Sequence, residues 1–575
     1  MFYLTRAYKY AKIIHNTKTF GGRNMKTFKK ALCMTLALTL SLSAFASCNK
    51  PQDDGFGKLK SVSPKTVEGI QYTYELRKED KKEFEQLVKK CRTLTLDGTD
   101  VEAIEAAWEE LLDKYYYIST QGNLAYLMSC SDNKDKELSG NYKFASKLQG
   151  DAYEMYVNLC VEIYESESPY KEEFFKDWTA ADIQAILQYS GEINALRESN
   201  DEILVEYREL DEADLKNATP DLYKRLVKNN NAIAAHYDYD TYYEYAYPNV
   251  YSRDYSTENI KNMRKYVGKY LAPLADDLIN KYFNAEKKMN AQESVAFRQF
   301  TESRYDEAKA GESTYLDLYV NSLSDSMKSG LNHAFENGNF YFADGDNADE
   351  GAFVTSLYSE DCSFAYFGPG YNSTLTVVHE LGHYYAGLHE GDNSTSFDLA
   401  ETQSQGNEWL MLSYLETVME SEALYEALLS YQMCSFLGII VVSTIVDEFE
   451  EYIYLSKDRI DEYTSEQIDS VMTSVCSRYG GLTYISNYLT DVHSYWRYVV
   501  LEQPVYYISY ATSAIAALNL YALAQEDYAT ATEAYRKLVE EVDYEKGFVG
   551  NLEAVGLASP FEEETYKTLK TLLLK

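Results

Sequence analysis

The chain has 575 residues, 14% of them aromatic, and a formal net charge of −37. This is the composition of a folded, core-forming protein rather than a disordered one, and its length allows several domains. Residues 1–47 hold eight of the 54 Lys/Arg and none of the 91 Asp/Glu, so the remainder is more acidic still. That excludes nucleic acid as a partner and any basic membrane-surface patch.

Residues 1–24 match no targeting pattern, and Met25 is the expected start, which makes 1–24 an upstream extension. From Met25, "MKTFKKALCMTLALTLSLSAFASCNK" has a basic start (Lys26, Lys29, Lys30), an apolar run, then small residues before Cys48. Its apolar part is too short for a stable span, so residues 25–47 read as an export signal. "SAFASC" resembles the bacterial lipoprotein cleavage box, which places a lipid on Cys48 and the protein on the outer side of the cytoplasmic membrane. Phe45 stands where that box usually has leucine, so plain secretion is the alternative. Residues 48–64 are polar and rich in Gly and Pro, and read as a tether.

From 65 to 575 we expect a single, mainly α-helical unit, because no sharp linker interrupts it. Stretches such as "VEAIEAAWEELLDKYYYI" carry helical periodicity from about Tyr72 to Gly338. Residues 339–372 differ: alternating aromatic and small residues, broken by Gly, Asp and Pro, predict two or three short strands. Helical patterning then resumes to the end. "CSFLGIIVVSTIV" (434–446) is apolar all round but only 13 residues long, and reads as a buried core helix. Six cysteines beyond the signal (Cys91, Cys130, Cys160, Cys362, Cys434, Cys476) form no CxxC pair and are expected to be buried thiols.

The chemistry-bearing stretch is "NSTLTVVHELGHYYAGLHEG", with "HELGH" at 379–383. Asn372 or Ser373 can cap a helix running toward Gly391. On it His379 and His383 sit one turn apart on one face, so both imidazoles can reach one ion. Zinc suits such a pair, and Glu380 would stand beside a zinc-held water as general base. Only seven histidines occur in the chain. A chance HExxH is expected in about one such chain in a hundred, so two incidental histidines on a helix is the weaker reading. A second helix begins near Ser394. Its Glu401, Ser404 or Gln405, and Glu408 recur on one face. Glu401 can complete a His₂Glu set, while Glu408 either orients an imidazole from outside or faces solvent. Asp398 is an alternative orienting carboxylate or an acidic residue at a helix start. His389 and His493 are the other histidines open to recruitment, with His389 off the His383 face and expected at the surface, while His236 and His333 have no such partners and are expected to pack or face solvent.

These residues resemble the oligopeptidase F and thimet oligopeptidase family of zinc metallopeptidases, most of all its oligopeptidase F branch. "HELGH" corresponds to the family's HExGH, and "LAETQSQGNEWL" to its later AE…NE helix. "GAF" at 351–353 and "FAYFGPGYNST" are similar to its substrate-holding ribbon, and "PVYYISYATSAIAALNLYALA" to its C-terminal helices. The resemblance implies a large two-lobed α-helical metallopeptidase with a deep central channel and a small β-ribbon beside the HExxH helix, the zinc-site core spanning about 339–510. It implies one zinc ion per chain on His379, His383 and Glu401, with Glu408 outside them and short unstructured peptides as substrates. It also implies peptide contacts from Gly351, Ala352, Phe353, Gly368 and Gly370. Tyr510, or Tyr507 one turn earlier, would donate to the oxyanion of the tetrahedral intermediate. With 56 tyrosines in the chain, only the resemblance singles these two out.

Two departures stand out. The family carries a histidine near the position of Val500, whereas no histidine lies between 494 and 510, and the segment between His383 and Glu401 is shorter. A non-catalytic peptide-binding lipoprotein that retains the fold is therefore the competing expectation.

Overall fold

The structure is a computed structural model that describes residues 59–574, apart from 177, 179, 190, 209, 211, 302–313, 372, 391–395 and 481–494. The export signal, Cys48, most of the tether, Asn372 and His493 lie outside the described residues. The chain opens with an antiparallel hairpin, β1 (Lys65–Val67) and β2 (Ile70–Tyr74), turning at Gly69 with φ +87°. Helical periodicity does not extend back to Tyr72: "IQYTY" alternates, with Ile70 and Tyr74 buried and Gln71 exposed. Three long helices follow, α1 (Lys78–Asp97), α2 (Val101–Ser131) and α3 (Lys136–Glu165). They close around Trp108, whose indole N–H donates to Thr95 Oγ1 at 2.8 Å and whose ring meets Tyr156 edge-on.

Shorter helices fill most of 171–336. Then come β3 (Phe340–Phe342), β4 (Ala352–Leu357) and β5 (Cys362–Phe367), in the order β3-β5-β4. β4 pairs antiparallel with β5 from Ala352↔Phe367 to Leu357↔Cys362, while β3 runs parallel to β5. The expected strands are present, and their period of two divides them between two apolar cores. Phe353, Leu357, Phe364 and Tyr366 face the core of the N-terminal helices, whereas Val354, Ala365 and Phe367 face a larger core built from residues beyond 203. A strand buried on both faces reads as near-continuous apolar sequence, as "CSFAYF" does.

The C-terminal half is built on α4 (Thr374–Gly387), α5 (Phe397–Val418), α6 (Glu422–Leu455) and α7 (Ile508–Glu526). By length and composition α6 could cross a membrane, yet most of its apolar stretch is buried inside the protein. Leu437, Ile440, Val441, Val446 and Phe449 lie in the larger core, which makes α6 the core helix that the sequence predicts. The six cysteines are all buried, and no disulfide joins described residues.

The sheet is tied to the chain around it by tight backbone contacts. Gly368 N–H donates to the Gly351 carbonyl at 2.7 Å, and a Cβ at Gly368 would lie 2.0 Å from the Asp349 carbonyl oxygen. Main chain cannot yield as a flexible side chain can, so Gly368→Ala is expected to cost about 1–3 kcal/mol. Thermal unfolding followed by circular dichroism should show a lower melting temperature, and an unchanged melt would contradict this packing.

Candidate metal centre

Ser373 caps α4, its Oγ accepting the Thr376 N–H at 3.3 Å, and the helix runs to Gly387. This puts the His379 and His383 rings 4.9 Å apart at 79° to one another. Ser396 caps α5 in the same way, so Glu401 comes one turn into that helix and faces α4. His379 Nε2 and Glu401 Oε2 are 3.7 Å apart. One donor atom from each of His379, His383 and Glu401 lies within 4.8 Å of the other two.

Two glycine-dependent contacts set that convergence. A Cβ on Gly382 would meet Ser404 Cα at 2.7 Å, the Gln403 carbonyl oxygen at 3.0 Å and Asn407 Cβ at 3.3 Å. On the other side of α5, a Cβ on Gly406 would meet Leu520 of α7 at 3.0 Å. Glycine at both places lets three helices approach closely. Asn407 then bridges the first pair: its Nδ2 donates to the Val378 carbonyl at 2.7 Å, and its Oδ1 accepts from Tyr319 O–H at 2.6 Å.

Glu408, two turns beyond Glu401, is not a solvated residue. Its Oε1 lies 2.7 Å from His379 Nδ1, and its other oxygen accepts from Gln432 Nε2 at 2.5 Å. In the neutral ring, an Nδ1–H donated to Glu408 leaves the Nε2 lone pair of His379 toward Glu401. Gln432 had no signal in the sequence, because only the fold brings α6 behind α5.

Charge in this site is unbalanced in a specific direction. Burial pushes the Glu380 carboxyl up to about 7, the charges of Glu401 and Glu408 add to that, and His379 opposes it. Burial raises Glu401 in the same way. Burial disfavours a charged imidazole at His379, but the Glu408 hydrogen bond and the neighbouring carboxylates outweigh it and hold the group at about 9. Buried acids that draw a proton onto an imidazole favour positive charge at this point. Two imidazole nitrogens and one carboxylate are also the donor set of a catalytic zinc site. The residues fit a divalent metal.

Elsewhere the outcome is mixed. Tyr507 and Tyr510 are buried at the start of α7, with rings 5.8 Å apart. Tyr506, which sequence reasoning did not select, has a phenol that feels the charge of Glu401, and its ring meets Tyr510 at 5.1 Å and Phe397 at 4.9 Å. Val500 is buried and apolar. Phe353, expected in the substrate ribbon, turns its ring into the N-terminal core against Tyr366 and Tyr126, leaving only its backbone available to a peptide. Ala352 begins the edge strand β4, Gly351 precedes it, and Gly370 follows β5 at φ +88°. Asp398 reaches no imidazole among the described residues. It is fully buried and accepts from Tyr255 O–H at 2.7 Å. His333 Nδ1 pairs with Tyr384 O–H at 2.9 Å, and His389 packs edge-on against Tyr385.

The structure thus joins a helical fold to a His–Glu–His helix packed against a glutamate-bearing helix. Solved structures have the same fold. PZ peptidase A, in a complex with an inhibitor, superposes with a TM-score of 0.64 at 16% identity, covering 88% of this chain and 98% of that one. A Bacillus anthracis protein provisionally named oligoendopeptidase F gives 0.62 at 17% identity, covering 89% and 98%. Oligoendopeptidase F from Enterococcus faecium gives 0.52 at 15% identity, covering 86% and 96%. At these identities the likeness establishes a shared fold. No protein-family model matches the sequence, and no curated protein matches it.

Two outcomes follow from the geometry. Glu408→Ala should weaken zinc binding about 10- to 100-fold with the helical content unchanged, as read by competition titration. Gly382→Ala should force α4 and α5 apart, lowering both the melting temperature and zinc affinity. Wild-type affinity in Gly382→Ala would show that the helix contact does not set the site.

Proposed function

We propose that the protein is a zinc-dependent endopeptidase that hydrolyses short, unstructured peptides. The observation that carries this reading is the convergence of His379, His383 and Glu401 beside the buried carboxyl of Glu380. Zinc, when bound, supplies a Lewis acid that polarises water and the scissile carbonyl. Everything else falls to side chains of this chain. Glu380, whose carboxyl is held near neutrality, takes the proton from the attacking water and returns it to the leaving amine. Glu408 keeps His379 in the tautomer that presents Nε2. The phenol of Tyr510, or of Tyr507, donates to the oxyanion as the carbonyl becomes tetrahedral. The edge strand β4, with Gly351 before it and Gly368 and Gly370 across from it, offers backbone to an extended peptide.

The shared fold supports a peptidase, and in the resembling family a deep channel restricts substrates to unstructured peptides. The export signal and Cys48 support attachment to the outer side of the cytoplasmic membrane through a lipid. The competing reading, a peptide-binding lipoprotein without activity, is favoured by one observation: an apolar residue, Val500, where the family has a histidine.

Purified mature protein separates the two. We expect one zinc per chain and cleavage of a mixed peptide library that a chelator abolishes and added zinc restores. Glu380→Gln should keep its zinc and lose roughly 10²- to 10⁴-fold in turnover. Wild type that binds zinc yet cuts no faster than Glu380→Gln would leave only the binding reading.

A further inference from the structure

Val505 is a buried, β-branched residue in the left-handed region, with φ +65°. Valine adopts that conformation only where the surroundings over-determine it, and such residues cluster where a structure must aim something. Three side chains from two separate stretches hold this turn. Glu450 Oε1 accepts the Val505 N–H at 2.8 Å. Arg253 Nη2 donates to the carbonyls of Val505 at 3.0 Å and Tyr506 at 3.2 Å, and to Ser509 Oγ at 2.9 Å. Tyr251 O–H donates to the Pro504 carbonyl at 2.6 Å.

The same clasp reaches the metal-ligand helix. The Arg253 guanidinium is buried over the rings of Tyr247 and Tyr251, 4.6 and 4.5 Å from their centroids, and its charge is answered by Asp398, with Nε 4.0 Å from Oδ2. Asp398 stands one turn before Glu401 on α5. It also accepts from Ser509 at 3.3 Å and from Thr512, both on α7. One carboxylate therefore ties the helix carrying Glu401 to the segment carrying Tyr506, Tyr507 and Tyr510. Directly after the strained turn, Tyr506 packs between Phe397 of α5 and Tyr510 of α7, and its phenol feels the charge of Glu401.

We propose that Arg253, Asp398 and Glu450 are positioning residues for peptide hydrolysis, fixing the Val505 turn so that Tyr510 is aimed at the reacting carbonyl. This rests on the peptidase reading above. None of the three side chains hydrogen-bonds to His379, His383 or Glu401, and they act through the placement of the tyrosine. Glu450 is fully buried, burial pushes its carboxyl well up, and its Oε1 accepts the Val505 N–H, a role that the amide oxygen of glutamine can fill.

The test is a double-mutant cycle on one fluorogenic peptide, with wild type, Arg253→Lys, Tyr510→Phe and the double variant, zinc content and melting temperature being recorded for each. Wild type is first compared with Glu380→Gln. If wild type is no faster, the peptidase reading fails and takes this proposal with it. Given an active wild type, Arg253→Lys should keep its zinc, lose about tenfold or more in kcat and change KM by less than about threefold. The double variant should fall no more than about threefold below the worse single one, because both changes disable the same phenol. Losses that multiply in full, or wild-type kcat in either single variant, overturn the proposal. Should Arg253→Lys fail to fold, Glu450→Leu takes its place in the cycle. Rescue by the conservative variant is the further readout: Glu450→Gln should retain most of the activity that Glu450→Leu loses, and equal losses in the two would overturn the role given to Glu450.

Discussion

The contact on which the site depends is the close approach of α4 to α5 at Gly382. With no side chain there, α4 rests on the backbone of Ser404 and Gln403 and on Cβ of Asn407. The imidazoles project from α4 and the carboxylates from α5, so the separation of the two helices sets the distance between donor atoms. The Asn407–Val378 hydrogen bond and the closeness of Gly406 to α7 hold α5 in place from both sides. The placement of the candidate donor atoms is thus a consequence of helix packing.

That packing creates an electrostatic demand. Glu380, Glu401 and Glu408 crowd one buried region with His379 as the charged group opposing them. Burying several carboxylates together is costly unless a cation answers them. The site is therefore arranged for positive charge. Behind it, the Arg253–Asp398 pair does similar work at a second junction, joining α5 to the turn at Val505.

Much of the metal centre was legible in the sequence because its parts obey local rules. Spacing of four puts His379 and His383 on one helix face, and spacing of seven puts Glu401 and Glu408 on another. That the two faces meet was an expectation drawn from the donor set, whereas only the structure shows that glycine stands where they touch. Strand-like alternation at 339–372 gave the three strands, but it could not say that β3 runs parallel to β5. Nor could it say which face of β4 meets which core, and so Phe353 was expected at the substrate when its ring belongs to the N-terminal core. The hairpin at 65–74 was hidden by its shortness. Gln432, Tyr506 and the Arg253 clasp left no trace in local pattern, since each is defined by partners far away in the chain.

The central claim is that α4 and α5 together hold one zinc ion on His379, His383 and Glu401. A crystal of the zinc-loaded protein, measured on both sides of the zinc absorption edge, tests it most directly. One anomalous peak is expected, bonded to His379 Nε2, to His383 and to Glu401, with Zn–N distances of about 2.0–2.1 Å and Glu408 hydrogen-bonded to His379 Nδ1. A peak bound through His379 Nδ1, or one that leaves Glu401 uncoordinated, would contradict it.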